Sequence, residues 1–380
     1  MAEYRIGVIG HTGQGNYGHG VDTVWGEIAG CKVVAVTDPD PAGLQQAKKR
    51  LDVSQGYSDY RQMLANEQLD IVSICPRWVD RHHEMVLACA QRKLHIYMEK
   101  PFCRDLQEAD EMVKACDSND IKLAIAHQTR YSPKLAVIRN LIEDGGIGTV
   151  LELRGRGKED RRGGGEDLWV LGSHVFNLMQ YFGGDSQWCM AQATQQGKRI
   201  TKEHVVQGKE GIGPLAADSI TAMYGMQDNI VGYFASARET GNGDRFALQI
   251  YGSRGVIEIK TGFLPQAYYL DDPTWCPGRS GKTWIPISST GVGKSEPLKD
   301  LSLHAGNVVA CQDLLQAIEQ DRLPECNVYE ARHTIEMIAA TFESHRQRGQ
   351  VAMPLIERRN PIGALISSRD CSHIHLNKCE

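Results

Sequence analysis

The chain has 380 residues, 41% of them hydrophobic, and 42 lysines and arginines against 47 acidic residues give a net charge of −5. At about 100–200 residues per domain, this length predicts two or three domains. The near-neutral balance, with no block of like charge, argues against binding to nucleic acid or to an anionic membrane. The longest apolar runs are only as long as strands, so we predict no transmembrane helix.

The cysteines and the amino terminus bear on the compartment. Eleven cysteines are scattered singly without a CxxC pair, and Cys75 and Cys89 lie within strand or helix patterns, where cysteine behaves as a small buried hydrophobe. The amino terminus enters a β-rich run at once, without a basic segment followed by an apolar signal core. These features predict a reducing, cytoplasmic location.

The first third of the chain alternates two kinds of segment. Short β-rich runs ("YRIGVIG", "CKVVAVTD", "LDIVSICP", "LHIYMEK", "IKLAIAHQ") alternate with amphipathic ones ("PAGLQQAKKRL", "DYRQMLAN", "RHHEMVLACAQRK", "LQEADEMVKACDSND"). Nearly continuous apolar runs are typical of strands covered on both faces. We therefore predict an α/β Rossmann domain with a doubly wound parallel sheet over residues 1–130.

The pattern changes after "RYSP". A helix ("KLAVIRNLIEDGG"), a strand, a charged loop and a second helix ("DLWVLGSHVFNLMQYF") precede alternating strands from "SITAMYGM" to "AYYLDD", and two helical stretches follow. Strand runs separated by turn residues predict a mostly antiparallel sheet in an α+β domain over residues 131–360. Residues 361–380 lack periodicity and are predicted to form an irregular tail.

The first β-run leads into the glycine-rich stretch "GHTGQGNYGHG". Such turns let the backbone approach a pyrophosphate, which then rests on the amino terminus of the following helix. Gly13, Gly15 and Gly18 satisfy GxGxxG, yet by position the turn begins at Gly10, so the choice of glycines stays open. The candidate cofactor contacts in this loop are Gly10, Thr12, Gly13, Gln14 and Gly15.

Asp38 ends the second β-run, near the spacing of about 20 residues expected for the acid that binds the adenosine ribose. Two ribose hydroxyls can hydrogen-bond a carboxylate, whereas a 2′-phosphate would be repelled by it. No arginine adjoins Asp38 in the sequence, so NAD is predicted and NADP is less favoured. The alternative is a glycine turn and a helix-capping aspartate that bind no ligand.

The run "LHIYMEKP" ends in Glu99 and Lys100, and Pro101 holds the residue before it out of the helical region. Ligands of open α/β sheets bind beyond the carboxyl ends of the strands, so Lys100 is predicted to lie at the edge where nicotinamide would bind. A solvent-exposed ion pair is the alternative. The candidate cofactor contacts outside the glycine loop are Asp38, Cys75, Pro76, Glu99, Lys100 and Arg130.

An ordered set of segments resembles the glucose–fructose oxidoreductase and inositol dehydrogenase (Gfo/Idh/MocA) family. These segments are "YSDYRQML", "ICPRWVDRHHEMVLACAQRKLHIYMEKP", "HQTRYSPKLAVIRNLIEDGGIGTV", "IYGSRGVIEI" and "ATFESHRQRGQVAMPL". The resemblance implies a nicotinamide-binding Rossmann domain and an α+β domain whose open sheet commonly mediates oligomerisation. It also implies hydride transfer at a secondary hydroxyl of a sugar, glycoside, polyol or inositol, by a homodimer or homotetramer.

The resemblance also implies two catalytic residues. Lys100 matches the lysine that hydrogen-bonds the reacting hydroxyl and the nicotinamide ribose, and His174, in "LGSHVFN", matches the general acid/base histidine. The family usually has an aspartate one helical turn before this histidine and often another three residues after it. Here those positions are Val170 and Asn177. Either a carboxylate from the loop "GRGKEDRRGGGED" tunes His174, or His174 serves only as a hydrogen-bond donor.

The candidate substrate contacts are Lys100, Tyr131, Lys158, Asp167 and His174. Asp167 is expected on the same helix face as His174 but about 10 Å away along the axis, too far to orient its ring. No metal site is predicted. The adjacent His82 and His83 diverge on a helix, and the tail residues Cys371, His373, His375 and Cys379 match no structural zinc spacing.

Two other functions stay open. A redox-assisted glycosidase or lyase would reduce NAD only transiently. A sensor would bind nucleotide and sugar without chemistry; the presence of Lys100 argues against it, and Val170 argues for it.

Overall fold

The computed structural model describes residues 3–241 and 243–367. Its first sheet is parallel, with strand order β3-β2-β1-β4-β5-β6, which is that of a doubly wound dinucleotide-binding domain. The strands are β1 Tyr4–Ile9, β2 Cys31–Thr37, β3 Gln55–Tyr57, β4 Ile71–Ile74, β5 His95–Met98 and β6 Leu123–Ile125. The helices between them are α1 Pro41–Arg50, α2 Tyr60–Asn66, α3 His82–Gln91 and α4 Leu106–Asn119.

The connection from β1 to β2 differs from the sequence-based expectation. It contains turns and a 3₁₀ helix, Val24–Glu27, but no α-helix. Gly13, Gly15, Gly18 and Gly20 have φ between +64° and +88°, a left-handed backbone that a right-handed helix does not admit. The α-helix that the sequence leads one to expect directly after β1 is therefore not found in the described residues.

The second sheet has the order β18-β17-β16-β15-β14-β7-β13-β12-β8-β19, with β9 paired to β8. It is antiparallel except for the parallel pair β7 and β13, so the expected mostly antiparallel sheet is confirmed. A separate two-stranded ribbon consists of β10 and β11. The strands are β7 Val150–Arg156, β8 Trp188–Gln195, β9 Lys198–Arg199, β10 Val206–Gln207, β11 Pro214–Leu215, β12 Ser219–Gly225, β13 Val231–Ala237, β14 Ala247–Gly252, β15 Val256–Lys260, β16 Ala267–Leu270, β17 Ile285–Ser288, β18 Gly291–Val292 and β19 Val351–Ala352.

The helices of this part of the chain pack on both sheets. Helices α7 and α9 lie against the second sheet, and α8 returns to pack on the 3₁₀ helix Val24–Glu27 and on β6. Asn307 of α8 accepts hydrogen bonds from the Tyr97 hydroxyl (2.7 Å) and the Gln128 amide (3.0 Å). The helices are α5 Pro133–Glu143, α6 Gly165–Asp167, α7 Ser173–Gly183, α8 Leu303–Glu319, α9 Val328–Gln347 and α10 Pro361–Ser367, with a π-helical turn at Leu168–Gly172.

The segment predicted to be an irregular tail begins with α10 instead. Its helix starts at Pro361, a residue whose fixed φ suits the first turn, and it places Ile362 in a fully buried position. Residues 368–380, with the tail cysteines and histidines, lie outside the described residues.

Candidate active site

Lys100 leaves the carboxyl end of β5 and points inward. Its side chain is buried, and Nζ donates a hydrogen bond of 2.8 Å to the carbonyl oxygen of Val170. Burial lowers the pKa of this ammonium, against the opposing effect of the Glu99 carboxylate. An ammonium held in a dry site by one neutral partner retains donors for a substrate oxygen.

The turn after Lys100 is fixed by His82, a residue for which no structural role was predicted. The two ring nitrogens of His82 lie 2.7 Å from the carbonyl oxygen of Pro76 and 2.8 Å from that of Pro101. His82 therefore ties together the segments that follow β4 and β5. In the described residues, no group of three histidine, cysteine, aspartate or glutamate side chains is arranged to hold a metal ion.

Glu99, predicted to contact the cofactor, holds the glycine-rich loop. Its side chain is fully buried: Oε2 accepts from the Lys100 backbone, and Oε1 accepts from the His19 backbone (2.9 Å) and contacts His19 Nδ1. Burial opposes ionisation, but the bonds to His19 and the nearby Lys100 ammonium leave the pKa of Glu99 lowered. Glu99 thereby brings His19 to the carboxyl end of β5.

Lys100 and His174 line the same cavity, of about 180 Å³. The other residues that line this cavity were not predicted from the sequence. Gln128 follows β6 and could have been found by the strand-end argument applied to Lys100. The remaining lining residues come from the glycine loop, the 3₁₀ helix after β6, the π-helical turn and the second domain, and no sequence pattern singled them out for this role: His19, Thr129, Leu171, Phe246, Thr261, Gly262 and Leu303.

His174 lies on α7, just after the π-helical turn that carries Val170. Its Nδ1 lies 3.2 Å from Nδ1 of His127, and its ring meets that of Phe246 edge-on, with centroids 6.5 Å apart. Burial, together with the neighbouring His127 and Lys100, holds the pKa of His174 well below 6.5. At neutral pH this imidazole is therefore uncharged and able to accept a proton.

The loop carboxylates do not approach His174, contrary to one of the two expectations for it. Glu159 is buried in ion pairs with Arg156 and Arg245, whose Nη2 lies 2.8 Å from Glu159 Oε2. Asp160 pairs with Arg162 at 2.7 Å. These arginines pair with the acids locally. Within the part of the chain that the structure describes, His174 contacts His127 and Phe246 and no carboxylate of this loop.

Two predicted substrate contacts belong to the same loop region and lie outside the cavity. Asp167 Oδ2 accepts hydrogen bonds from Ser236 Oγ (2.6 Å) and the Glu159 backbone (3.3 Å), and burial raises the pKa of Asp167 to about 6. Lys158 is partly exposed, 3.7 Å from Asp160. The π-helical turn intervenes between Asp167 and His174 and breaks the straight-helix geometry on which the prediction rested.

Arg130 and Tyr131, predicted to contact cofactor and substrate, line a different cavity of about 440 Å³. Arg130 pairs with Glu330 at 3.0 Å and stacks on the Tyr181 ring at 3.9 Å from its centroid. The Tyr131 side chain is buried there as well. Both residues follow β6 in a 3₁₀ helix, which directs Gln128 and Thr129 to the Lys100 cavity and Arg130 and Tyr131 to the other.

Asp38 lies at the carboxyl end of β2, as predicted, but its carboxylate is buried. It accepts hydrogen bonds from the backbones of Thr12 and Asp40, from Thr12 Oγ1 (2.7 Å) and from the Tyr17 hydroxyl (2.9 Å). A cavity of about 230 Å³ adjoins the ends of β1 and β2. Arg61 and Arg81 line it, although no arginine neighbours Asp38 in the sequence, and each pairs with Glu84.

The glycine loop packs closely over the strand ends. A Cβ on Gly10 would lie 2.1 Å from a ring carbon of Tyr17, and one on Gly15 would lie 2.2 Å from the backbone nitrogen of Arg77. Gly13 has open space around it, and the Gln14 backbone bonds to His11. Cys75 and Pro76 lie buried after β4, beneath this loop.

Two family profiles match this chain. Residues 4–127 match the "Oxidoreductase family, NAD-binding Rossmann fold" profile, and residues 135–258 match the "GFO/IDH/MocA C-terminal domain" profile. The chain belongs to the Gfo/Idh/MocA oxidoreductase family. The resemblance seen in the sequence is thereby confirmed, with the NAD-dependent oxidoreductase class that it implied.

Curated relatives and solved structures of the Gfo/Idh/MocA family agree with this assignment. Myo-inositol 2-dehydrogenase of Thermotoga maritima is 24% identical over 67% of this chain and 74% of its own length. D-apiose dehydrogenase of Paraburkholderia graminis is 28% identical over 90% of this chain and 89% of its own. A structure of levoglucosan dehydrogenase with NADH and levoglucosan has the same fold, with a TM-score of 0.74 at 18% identity, covering 93% of this chain and 100% of that one.

The residues of this Gfo/Idh/MocA chain fit NAD at both ends. The nicotinamide end has a small cavity with a buried ammonium and an imidazole. The adenosine end has a carboxylate after β2 beside a second cavity. Oδ2 of Asp38 already accepts two hydroxyl groups, those of Thr12 and Tyr17, which is the donor chemistry that two ribose hydroxyls would supply. In this structure Thr12 and Tyr17 occupy the oxygen at which ribose hydroxyls would bind.

Proposed function

We propose that this protein oxidises a secondary hydroxyl of a sugar, glycoside, polyol or inositol, with NAD as the hydride acceptor. The observation that carries the proposal is the shared cavity of Lys100 and His174 at the carboxyl edge of the parallel sheet. The relatives named for inositol, apiose and levoglucosan support this substrate class.

In the proposed mechanism, bound NAD supplies the acceptor for the hydride that leaves the substrate carbon. Lys100 donates a hydrogen bond to the reacting oxygen and stabilises the negative charge that develops as its proton departs. Because the ammonium is buried, its field at that oxygen is screened less than it would be in water. Val170 fixes the direction of the lysine side chain through its carbonyl.

His174 takes the proton from the substrate hydroxyl. Its uncharged imidazole at neutral pH is the form that accepts a proton, and Lys100 beside it discourages premature protonation. Oxidation thus leaves a ketone and a protonated His174, and reduction runs through the same groups in reverse. Lys100 and His174 have different roles: the lysine stays charged throughout the reaction, whereas the histidine alternates between its uncharged and protonated forms.

The experiment that tests this function is a panel of sugars, glycosides and inositols offered with NAD, followed by the absorbance of reduced nicotinamide. Net accumulation of NADH with at least one member supports a dehydrogenase. Turnover of a glycoside without net NADH would support the redox-assisted glycosidase or lyase. Binding of sugar and NAD with neither reaction would support a sensor. The dehydrogenase names of the relatives favour the first outcome.

We further propose that the open face of the second sheet joins copies of the chain into a dimer or tetramer. Met190, Met223 and Tyr233 stand opposite one another across β8, β12 and β13, and Met190 and Tyr233 are 51% and 37% exposed. A charged Met190→Asp substitution should lower the mass measured by light scattering. Leu298→Asp, at an exposed position outside the strands, is the control.

The domain division and the compartment are proposals as well. The parallel sheet ends at Ile125 and the second sheet begins at Val150, which supports a boundary near residue 130 with 131–360 as the second unit. The nine cysteines of the described residues are all unpaired, which supports a cytoplasmic location. No helix in the described residues is long and apolar enough to cross a membrane.

A further inference from the structure

His127 and His174 form a buried pair that no sequence pattern predicts. His127 follows β6, and His174 lies on α7, 47 positions later in the chain. Their rings are nearly perpendicular, at 87°, with centroids 4.9 Å apart and the two Nδ1 atoms 3.2 Å apart. That distance allows one hydrogen bond between the two nitrogens.

We propose that His127 is a positioning residue for His174: it accepts a hydrogen bond from Nδ1–H of His174 and thereby leaves Nε2 of His174 unprotonated for the substrate. This inference rests on the proposed function, because it assigns a partner to the base of that reaction. The position one turn before the histidine, Val170, cannot supply such a partner, since valine has no side-chain acceptor.

The protonation chemistry of the pair follows from its geometry. Only one hydrogen fits between the two Nδ1 atoms, so one ring donates and the other accepts. When His174 donates, its Nε2 carries a lone pair and takes the proton of the substrate hydroxyl, and the resulting imidazolium keeps its bond to a neutral His127. When His127 donates, Nε2 of His174 holds the hydrogen and has no lone pair for the substrate. The first arrangement is the one that supports oxidation.

The surroundings keep His127 uncharged, which its accepting role requires. Burial and the nearby Lys100 lower the pKa of His127 to about 3, so its ring stays uncharged and can accept. The charged or titratable groups that face His174 are His127 after β6, Lys100 after β5 and His19 of the glycine loop, while Phe246 closes an apolar side. A neutral acceptor stabilises the imidazolium less than a carboxylate would, so this His174 is a weaker base than one paired with aspartate.

The test is ¹⁵N NMR of the full-length protein with labelled histidine, using His174→Gln to assign the His174 signals. We expect wild-type His174 to show the Nδ1–H tautomer, with Nε2 unprotonated. His127→Phe should remove that tautomer preference, and His127→Asn, which keeps an acceptor, should restore it. His333→Gln is the control, because His333 bonds Ser186 and lines neither the cavity nor the pair.

Three results would overturn the inference. They are an Nε2–H tautomer for His174 in the wild type, an unchanged tautomer in His127→Phe, or no rescue by a folded His127→Asn. The tautomer of His174 is read from the wild-type spectrum alone, so the inference remains testable even if His127→Phe does not fold. The spectra require neither sugar nor NAD. Failure of the sugar panel therefore counts against the proposed function, and failure of the tautomer result counts against His127.

Kinetics add a second readout once a substrate is known. His127→Phe should lower kcat by about 10- to 100-fold with little change in KM, below the 10²–10⁴-fold that a whole general base contributes. It should also shift the acid limb of the kcat/KM profile, whereas loss of packing alone would leave that limb in place. His127→Asn should recover most of kcat. Equal losses in both variants would contradict the hydrogen-bonding role.

Discussion

Replacing Lys100 with methionine tests the centre of the proposed mechanism. Methionine has nearly the same length and no charge, so the change removes the ammonium while it retains most of the packing. The loss of one preorganised donor at a developing oxyanion typically lowers kcat by about 10²–10³-fold, or ~2.7–4 kcal/mol of transition-state stabilisation. We expect Lys100→Met to fall in this range.

The structure also gives the expected effect on stability. The substitution leaves the Val170 carbonyl without its donor, which destabilises by about 1–3 kcal/mol. It also removes the free-energy penalty of burying an ammonium, and the two changes oppose each other. The free energy of unfolding in urea should therefore change little.

Lys134→Met is the matched control. Lys134 is also buried and also donates from Nζ to a carbonyl, that of Pro265 at 2.9 Å, but it does not line the Lys100 cavity. We expect it to leave kcat/KM for NADH formation unchanged. If Lys100→Met retained kcat/KM within about threefold of the wild type, a loss below ~0.7 kcal/mol, the assigned role of the ammonium would be refuted.

Three further outcomes are expected. Because the pKa of His174 is held well below 6.5, kcat/KM for oxidation should stay flat through neutral pH and decline only below 6.5; an acid limb above 6.5 would contradict this. Tyr17→Phe removes a donor that occupies Asp38, so NAD should bind about 2- to 10-fold tighter by calorimetry, from ~0.5–1.5 kcal/mol per hydrogen bond. Tyr57→Phe is the control and should not change NAD affinity, because the Tyr57 hydroxyl bonds the Glu67 carboxylate. Weaker NAD binding by Tyr17→Phe would contradict the prediction. Asp167 has a pKa of about 6 when folded and near 3.8 when unfolded, so the folded state binds more protons between these values and stability falls as pH rises through them, by up to about 3 kcal/mol. Asp167→Asn should abolish that part of the pH dependence of urea unfolding. A stability profile parallel to that of the wild type would show that Asp167 makes no such contribution.

The parallel sheet of the first domain was predictable from local sequence. Apolar runs of strand length alternating with amphipathic segments leave few arrangements besides a parallel sheet covered by helices, because each element must bury its apolar side. Because parallel strands run in one direction, the ends of β2 and β5 lie on one edge of the sheet, and this identifies Asp38 and Lys100. The end of β6 lies on the same edge, so the same reasoning would have identified Gln128, which was not predicted.

Departures from expectation arise where contacts are distant in sequence. The glycine loop reads as a phosphate-binding turn before a helix, yet its left-handed glycines prevent that helix, and α8 packs on the 3₁₀ helix that follows instead. Arg130 and Tyr131 adjoin Gln128 in sequence, but a 3₁₀ helix turns them toward Glu330 and Tyr181.

The alternating fold of the first domain, the family and the strand end that carries Lys100 can all be predicted from the residues alone, because periodicity and strand direction are local properties of the chain. The neighbours of His174, in contrast, depend on tertiary packing. A π-helical turn carries Val170 to Lys100 and separates Asp167 from the cavity, and the end of β6 brings His127 to 3.2 Å. Side chains from separate elements meet only through packing, and no spacing along the chain encodes that meeting.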